Sequence, residues 1–129
     1  MSNDWQKDMK NFHEIVMNDF IQGFPQIPDK ETIKLREKLI DEEVNETLNA
    51  IYNNDMVEIA DGIVDSIVVL IGTAVMYGID LQPIWDEVYS NNMSKKDGPI
   101  REDGKKMKPA GWKPPDIESC LIKQGWLKN

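Results

Sequence analysis

The chain has 129 residues, 40% of them hydrophobic, which suits one domain with a modest core. Its formal net charge of -8, from 23 acidic against 15 basic side chains, argues against a general affinity for nucleic acid or for an anionic membrane. One cysteine excludes an intrachain disulfide, and with one histidine it gives little support to a Cys/His zinc site or a nucleophilic triad.

Trp5, Met9, Phe12, Val16 and Phe20 recur at helical spacing, which predicts a first helix ending before Gly23, Phe24 and Pro25. Asp29 is placed to cap a second helix, whose apolar stripe of Ile33, Ile40, Val44, Leu48 and Ile51 runs to Asn53 with an acidic face opposite. Asn53-Asn54-Asp55 is a short polar break, and Asp55 with Glu58 three residues on resembles a capping box that opens a third helix. From Ile63 to Met76 that helix is apolar almost all round, which predicts a central helix packed on several sides and stopped at Gly78. Its greasiest run, Ile67 to Met76, is too short to span a bilayer. Asp80 then caps a fourth helix carrying Ile84, Trp85, Val88 and Tyr89 to about Asn91.

After Met93, Gly98-Pro99, Gly104, Pro109, Gly111 and Pro114-Pro115 rule out long regular structure. Residues 93 to 113 hold seven basic side chains against three acidic ones, a local charge of +4 on an acidic protein. No repeat, low-complexity run or strand pattern is present. The expected fold class is therefore all-α, a four-helix bundle-like single domain over residues 1–129, with a helical core at about 4–92 and a basic tail at about 93–129. The first residues lack the basic-then-apolar pattern of a secretory leader, and the expected compartment is the cytoplasm.

Glu42, Glu43 and Glu46 share one face of the second helix, and Glu58, Asp61 and Asp65 share one face of the third. Folding the two helices back on each other near Asn54 brings Glu43 level with Asp65, and Glu46 level with Asp61 and Gly62. Helices pack roughly 8–10 Å apart, so both acidic clusters can converge on one gap. Such oxygen ligands suit Mg²⁺, with Mn²⁺ as a substitute, and a metal resolves their mutual repulsion. The bland reading competes for individual residues: Glu58 serves a helix cap and Glu42 pairs with Lys38 one turn back. Asp65 resists it, because Ile63, Val64, Ile67 and Val68 surround it. His13 reads as a packing or hydrogen-bonding residue, and Trp112, beside prolines, as the pin of a loop. The tail lysines read either as a soluble tail or as a flap that neutralises the outer phosphates of a triphosphate.

Glu43-x-x-Glu46 followed by Glu58-x-x-Asp61 resembles the signature of the all-α nucleoside triphosphate pyrophosphohydrolases, the MazG-like superfamily. The resemblance extends to Phe12-His13, Leu39-Ile40-x-Glu42-Glu43, Asp65, Gly72-Thr73-Ala74 and Gly78-Ile79. It also takes in Asn92-Met93-Ser94-Lys95 and the tail from Arg101-Glu102-Asp103-Gly104-Lys105 through Lys108-Pro109 to Pro114-Pro115-Asp116, so nearly the whole chain is covered. The lysine-bearing tail is most similar to that of small stand-alone members, including those carried by bacteriophages, rather than to two-domain housekeeping enzymes or the histidine-pathway phosphoribosyl-ATP pyrophosphohydrolases.

The resemblance implies that Glu43, Glu46, Glu58 and Asp61 are Mg²⁺ ligands, with Glu42 and Asp65 as supporting or second-metal ligands. It implies further that Asn92, Lys95, Arg101, Lys105 and Lys108 contact phosphate, and that the protein is a homodimer or homotetramer. Relatives often carry aromatic residues after the position of Asp65, where this chain has the aliphatic Val68 and Ile71. The expected reaction is Mg²⁺-dependent hydrolysis of a nucleoside triphosphate, a deoxynucleotide by preference, to the monophosphate and pyrophosphate. Glu46 orients or deprotonates the attacking water and Glu43 is its catalytic neighbour. The alternatives are a phosphoribosyl-ATP-type substrate, or a non-catalytic acidic oligomeric bundle. No nucleic acid or membrane partner is expected.

Overall fold

The computed structural model describes residues 4–128. It contains α1 (Asp4–Ile15), α2 (Lys30–Tyr52), α3 (Met56–Met76), α4 (Leu81–Met93) and α5 (Ile117–Lys123). Among the described residues the one extended pairing is an isolated antiparallel bridge between Ile100 and Lys106, so the fold is all-α as expected. The chain divides into two compact units, one reaching Ile79 and the other starting at Asp80, so that α4 groups with the tail.

Four helices start at an aspartate whose carboxylate takes an orphan amide of the first turn. Asp29 accepts from the Thr32 amide at 2.8 Å, Asp55 from Glu58 at 3.2 Å, Asp80 from Gln82 at 3.1 Å and Asp116 from Ser119 at 3.1 Å. The bonds from Thr32 and Ser119 hold the Asp29 and Asp116 carboxyls below the usual range. Replacing Asp55 by Ala is expected to lower stability by about 1 kcal/mol, seen as a lower urea midpoint at unchanged slope.

The first helix is shorter than its apolar spacing predicts, because the chain leaves it after Ile15. The Phe12 carbonyl receives both the Val16 and Met17 amides, Asn18 turns into the left-handed region at φ 54°, and the Asp19 amide returns to the His13 carbonyl. Asparagine tolerates that conformation better than most residues. Val16 and Phe20 therefore lie outside the helix and are exposed.

In the first unit α2 and α3 form an antiparallel hairpin across Asn53–Asp55, and α1 packs on α3. The face of α2 turned to α3 is not its apolar stripe. Arg36 and Ala50 are buried there, Thr47 meets Ser66, and the second half of the stripe points outward, with Val44, Leu48 and Ile51 37%, 56% and 50% exposed, while Ile33 and Ile40 are half-buried. The buried face of α3 likewise consists of Gly62, Val69, Gly72, Ala74 and Val75, while Ile63, Val64 and Leu70 are exposed. This corrects the expectation of a helix packed on several sides within one chain: small residues let α3 approach its neighbours closely, while Ile63, Val64 and Leu70 stay largely open. By length and composition α3, with a mean hydropathy of 1.9, is also long and apolar enough to cross a membrane, although it carries Glu58, Asp61 and Asp65.

Below the hairpin lies a polar core. The buried Arg36 guanidinium donates from Nη2 to the Val69 carbonyl at 2.9 Å and from Nε to Thr73 Oγ1 at 3.1 Å, and the Thr73 hydroxyl donates to the same carbonyl at 2.7 Å. Burial lowers the proton affinity of Arg36 and the charge of Asp19 raises it. The buried His13 donates from Nδ1 to Asp19 Oδ2 at 2.8 Å, the hydrogen-bonding role expected for it. A Cβ on Gly72 would lie 2.8 Å from both Arg36 Nη2 and His13 Nε2, so only glycine leaves room for the two side chains.

In the second unit α5 packs on α4. The Gln124 side chain holds both the amide and the carbonyl of Asp80, at 2.8 and 2.9 Å, and Glu87 accepts the Asp116 amide at 3.0 Å. The glycines and prolines of the tail hid this seven-residue helix from sequence reasoning, although Asp116 is an ordinary cap for it.

Candidate active site

The hairpin is tightest at Gly62. A Cβ there would fall 2.6 Å from Thr47 Oγ1 and 3.1 Å from Thr47 Cα, so α2 and α3 touch through backbone and a hydroxyl. Thr47 is fixed in turn: its Oγ1 donates to the Glu43 carbonyl at 2.8 Å and lies 3.0 Å from Ser66 Oγ. Glu43 and Glu46 flank this contact on α2, and Asp61 and Asp65 flank it on α3. The close approach therefore draws four carboxylates into one neighbourhood.

Glu43 carries the consequence. Its carboxyl is pushed above the usual glutamate range, first by burial and then by the negative charges of Glu46, Asp65, Glu42 and Asp61. Its Oε2 is closed off from solvent and has no hydrogen-bond partner. The charge of Asp65, expected level with Glu43, acts on it, and so does that of Asp61, expected opposite Glu46. Glu42 stands at the edge, exposed and 3.9 Å from Lys38. Glu58 lies in the first turn of α3 with its amide on Asp55, and its charge is not among those acting on Glu43.

Among the described residues, no three His, Cys, Asp or Glu side chains stand assembled as a ready metal cage. The donor chemistry nonetheless fits a hard divalent cation: the set is all oxygen, several formal charges repel one another, and one buried carboxylate oxygen lacks any donor. A cation would offset both the repulsion and the missing partner.

Beside these acids runs an apolar groove of about 220 Å³, lined by Trp5, Asp8 and Met9 of α1 and by Val64, Ile67, Val68 and Ile71 of α3. Val64 and Val68 flank Asp65 at helical spacing, so the groove adjoins the acidic face. Trp5, from the neighbouring helix, brings an aromatic ring to this groove. In the sequence Trp5 and Met9 mark only the helical spacing of the first helix, and nothing there signals that they line a groove.

In the second unit the expected phosphate contacts differ in state. Arg101 is engaged, donating to Asp103 from Nε at 2.7 Å and from Nη2 at 2.5 Å, a fork that raises the arginine and holds Asp103 low. Asn92 accepts from Lys95 Nζ at 3.1 Å. Lys95 and Lys108 place their ammonium groups 5.5 and 4.5 Å from the centre of the Trp112 ring. Lys105 lies exposed at the turn that Arg101 closes, its carbonyl accepting the Arg101 amide at 2.8 Å. Trp112 is half-buried and its Nε1 is closed off without an acceptor, which costs about 1–3 kcal/mol. It therefore does more than pin a loop, since it also carries two lysines.

A model of the phosphoribosyl-ATP pyrophosphohydrolase family matches residues 9–92, more than half of the chain, from within α1 nearly to the end of α4 and across Glu42, Glu43, Glu46, Glu58, Asp61 and Asp65. No curated protein matches the chain.

Proposed function

The chain belongs to the phosphoribosyl-ATP pyrophosphohydrolase family and is thus a hydrolase of phosphoric anhydride bonds, and from that premise we propose that it splits a nucleoside triphosphate into a monophosphate and pyrophosphate. A deoxynucleotide is the preferred substrate and Mg²⁺ the cofactor, replaceable by Mn²⁺. The observation that carries this reading is the buried, unpartnered Glu43 oxygen among Glu46, Asp61 and Asp65. A second reading, phosphoribosyl-ATP as the substrate, is favoured by the family match itself. The plain triphosphate is preferred because the lysine-bearing tail, which lies beyond the matched residues, resembles that of the small stand-alone members rather than that of the phosphoribosyl-ATP enzymes.

Glu43, Glu46, Glu58 and Asp61 would hold the metal, with Glu42 and Asp65 in support. When bound, Mg²⁺ stabilises negative charge on phosphate oxygens and makes water more acidic. Glu46 accepts the proton of the attacking water, and Glu43, whose surroundings raise its affinity for a proton, helps to hold that water. The water oxygen bonds to the α-phosphorus, the bond to the bridging oxygen breaks, and pyrophosphate leaves. The groove at Trp5 receives the base. Asn92, Lys95, Lys105 and Lys108 bind phosphate oxygens, as does Arg101 after release from Asp103.

A second copy of the chain covers the outward stripe at Val44, Leu48 and Ile51, giving a homodimer or homotetramer. The enzyme acts in the cytoplasm, without nucleic acid or membrane partners.

The test is incubation with each ribo- and deoxyribonucleoside triphosphate and with phosphoribosyl-ATP, in Mg²⁺ or in EDTA, with products resolved. Monophosphate and pyrophosphate formed only with metal support the reading. Turnover of phosphoribosyl-ATP alone moves the substrate to the second reading, and stepwise phosphate loss or full activity in EDTA overturns the mechanism. Glu46→Ala and Asp61→Ala are expected to lose turnover with helical content intact, and activity retained in either removes that residue from the site.

A further inference from the structure

Six of the seven residues that line the groove between α1 and α3 are apolar or aromatic, and the seventh is Asp8. Trp5, Asp8 and Met9 fall within one turn of α1, so the carboxylate is set beside the ring and the thioether that line the groove with it. Other aspartates of the chain are engaged: Asp29, Asp55, Asp80 and Asp116 hold helix starts, Asp19 holds His13 and Asp103 holds Arg101. Asp8 takes part in no hydrogen bond or ion pair among the described residues. It is the only charge on an otherwise apolar wall, and nothing within the chain uses it.

An ionised carboxylate accepts hydrogen bonds and donates none. What the groove takes must therefore bring a flat apolar body for Trp5 and the aliphatic row of α3, and donors for Asp8. Val64 and Val68 flank Asp65, so a nucleotide held by its phosphates at the acids can lay its base in the groove. The bases differ in what they offer there. Guanine presents its N1–H and its 2-amino group side by side, two donors for the two oxygens of one carboxylate, as in a forked arginine pair. Adenine and cytosine present one amino group next to a ring nitrogen that accepts. Thymine and uracil present a single N–H between two carbonyl oxygens, which the carboxylate repels.

We propose that Asp8 reads the base and selects guanine, which makes deoxyguanosine triphosphate the preferred substrate and thymine and uracil nucleotides the poorest. This deepens the triphosphate reading and rests on it for the reaction, but recognition of the base does not depend on turnover. Because the base is remote from the bond that breaks, the discrimination falls mainly on KM.

The first measurement is binding of the deoxynucleoside monophosphates in Mg²⁺, followed by the NMR signal of the Trp5 indole N–H, which is identified by its loss in Trp5→Phe. The guanine nucleotide should bind roughly tenfold more tightly than the thymine nucleotide. Asp8→Asn should bring the two within about threefold, because an amide pairs with the adjacent N–H and C=O that guanine and thymine share. The thymine nucleotide should then bind more tightly than it does to wild type, a gain that structural damage does not produce. Asp8→Ala should close the gap by weakening guanine alone. Asp8 is exposed and unbonded, so both variants should keep the wild-type urea midpoint. Glu14→Gln removes the same charge from α1 outside the groove and should keep the wild-type order. The second measurement is KM and kcat for the four deoxynucleoside triphosphates, in which the same order and the same shifts should appear.

A wild-type protein that favours thymine or binds all bases alike would overturn the assignment, and so would an unchanged order in Asp8→Asn or a Trp5 signal that no nucleotide moves. Guanine preference that depends on Asp8, in a chain that hydrolyses no triphosphate, would sink the reaction and leave the base reading standing. Triphosphate turnover indifferent to Asp8 would do the reverse.

Discussion

Replacing Glu43 by Gln is expected to lower kcat/KM roughly 10²- to 10⁴-fold and, in the absence of divalent metal, to raise the melting temperature at neutral pH. The two effects share one cause. In the folded chain the Glu43 carboxyl holds its proton more tightly than in the unfolded chain, because burial and four acidic neighbours disfavour the ionised form. The contribution of this group to stability is therefore fully present below the ordinary glutamate range. It declines as pH rises through the interval between the unfolded value and the raised folded one, and neutral pH lies on the unfavourable side. Glutamine cannot ionise, so the variant escapes the repulsion and also loses the charge that a cation would engage. Thermal melts in EDTA across mildly acidic to neutral pH, paired with melts in Mg²⁺, check this: wild type should gain stability on mild acidification and on adding metal, and Glu43→Gln should show both gains much reduced. A variant that melts below wild type in EDTA, or keeps its activity, would remove Glu43 from the role given to it.

Gly62→Ala is the second large effect. The new methyl would stand 2.6 Å from Thr47 Oγ1 and 3.1 Å from Thr47 Cα, and the second of these is backbone that cannot swing aside. Helices α2 and α3 must part, at a cost of about 1–3 kcal/mol. Glu43 and Glu46 then recede from Asp61 and Asp65, so activity should fall well beyond the fraction of protein lost to unfolding, and Mg²⁺ should stabilise the variant less. Gly23→Ala is the matched control, since nothing lies within 4 Å of the added carbon, and it should be close to neutral. Comparing urea midpoints and turnover of folded protein for the two variants is sufficient. Wild-type activity in Gly62→Ala would show that the close approach does not set the site.

Much of this arrangement was legible before any coordinates. Aspartates 29, 55 and 80 announced three helix starts because capping is local chemistry, and the three-residue break at Asn53 to Asp55 dictated an antiparallel hairpin and hence the level of Glu43 against Asp65. What sequence could not give depends on partners distant along the chain. Periodicity shows that α2 has an apolar stripe but not what meets it, and α3 covers Arg36, Thr47 and Ala50 because Gly62 and Gly72 admit polar and small groups at short range. The end of α1 was missed because Asn18 turns left-handed and Asp19 pairs back to His13, contacts invisible to periodicity. Glu58 shared a helix face with Asp61 and Asp65, but a shared face does not bring its charge to bear on Glu43. The grouping of Lys95 with Lys108 needed Trp112 in place, and neither spacing nor charge counts reveal a ring between two loops.

The polar core under Gly72 has a bearing on how this sequence can drift over generations. Grease-filled interiors tolerate exchange among leucine, valine and methionine, since shape is nearly all that counts. Here Arg36 needs the Val69 carbonyl, the Thr73 hydroxyl and the charge of Asp19, His13 needs Asp19, and both side chains need position 72 to remain bare. Losing any one member leaves a buried donor or charge without its counterpart. Residues 13, 19, 36, 72 and 73 should therefore be inherited as a block, kept together or replaced together, while the outward residues at 44, 48 and 51 follow the separate history of whatever surface meets them.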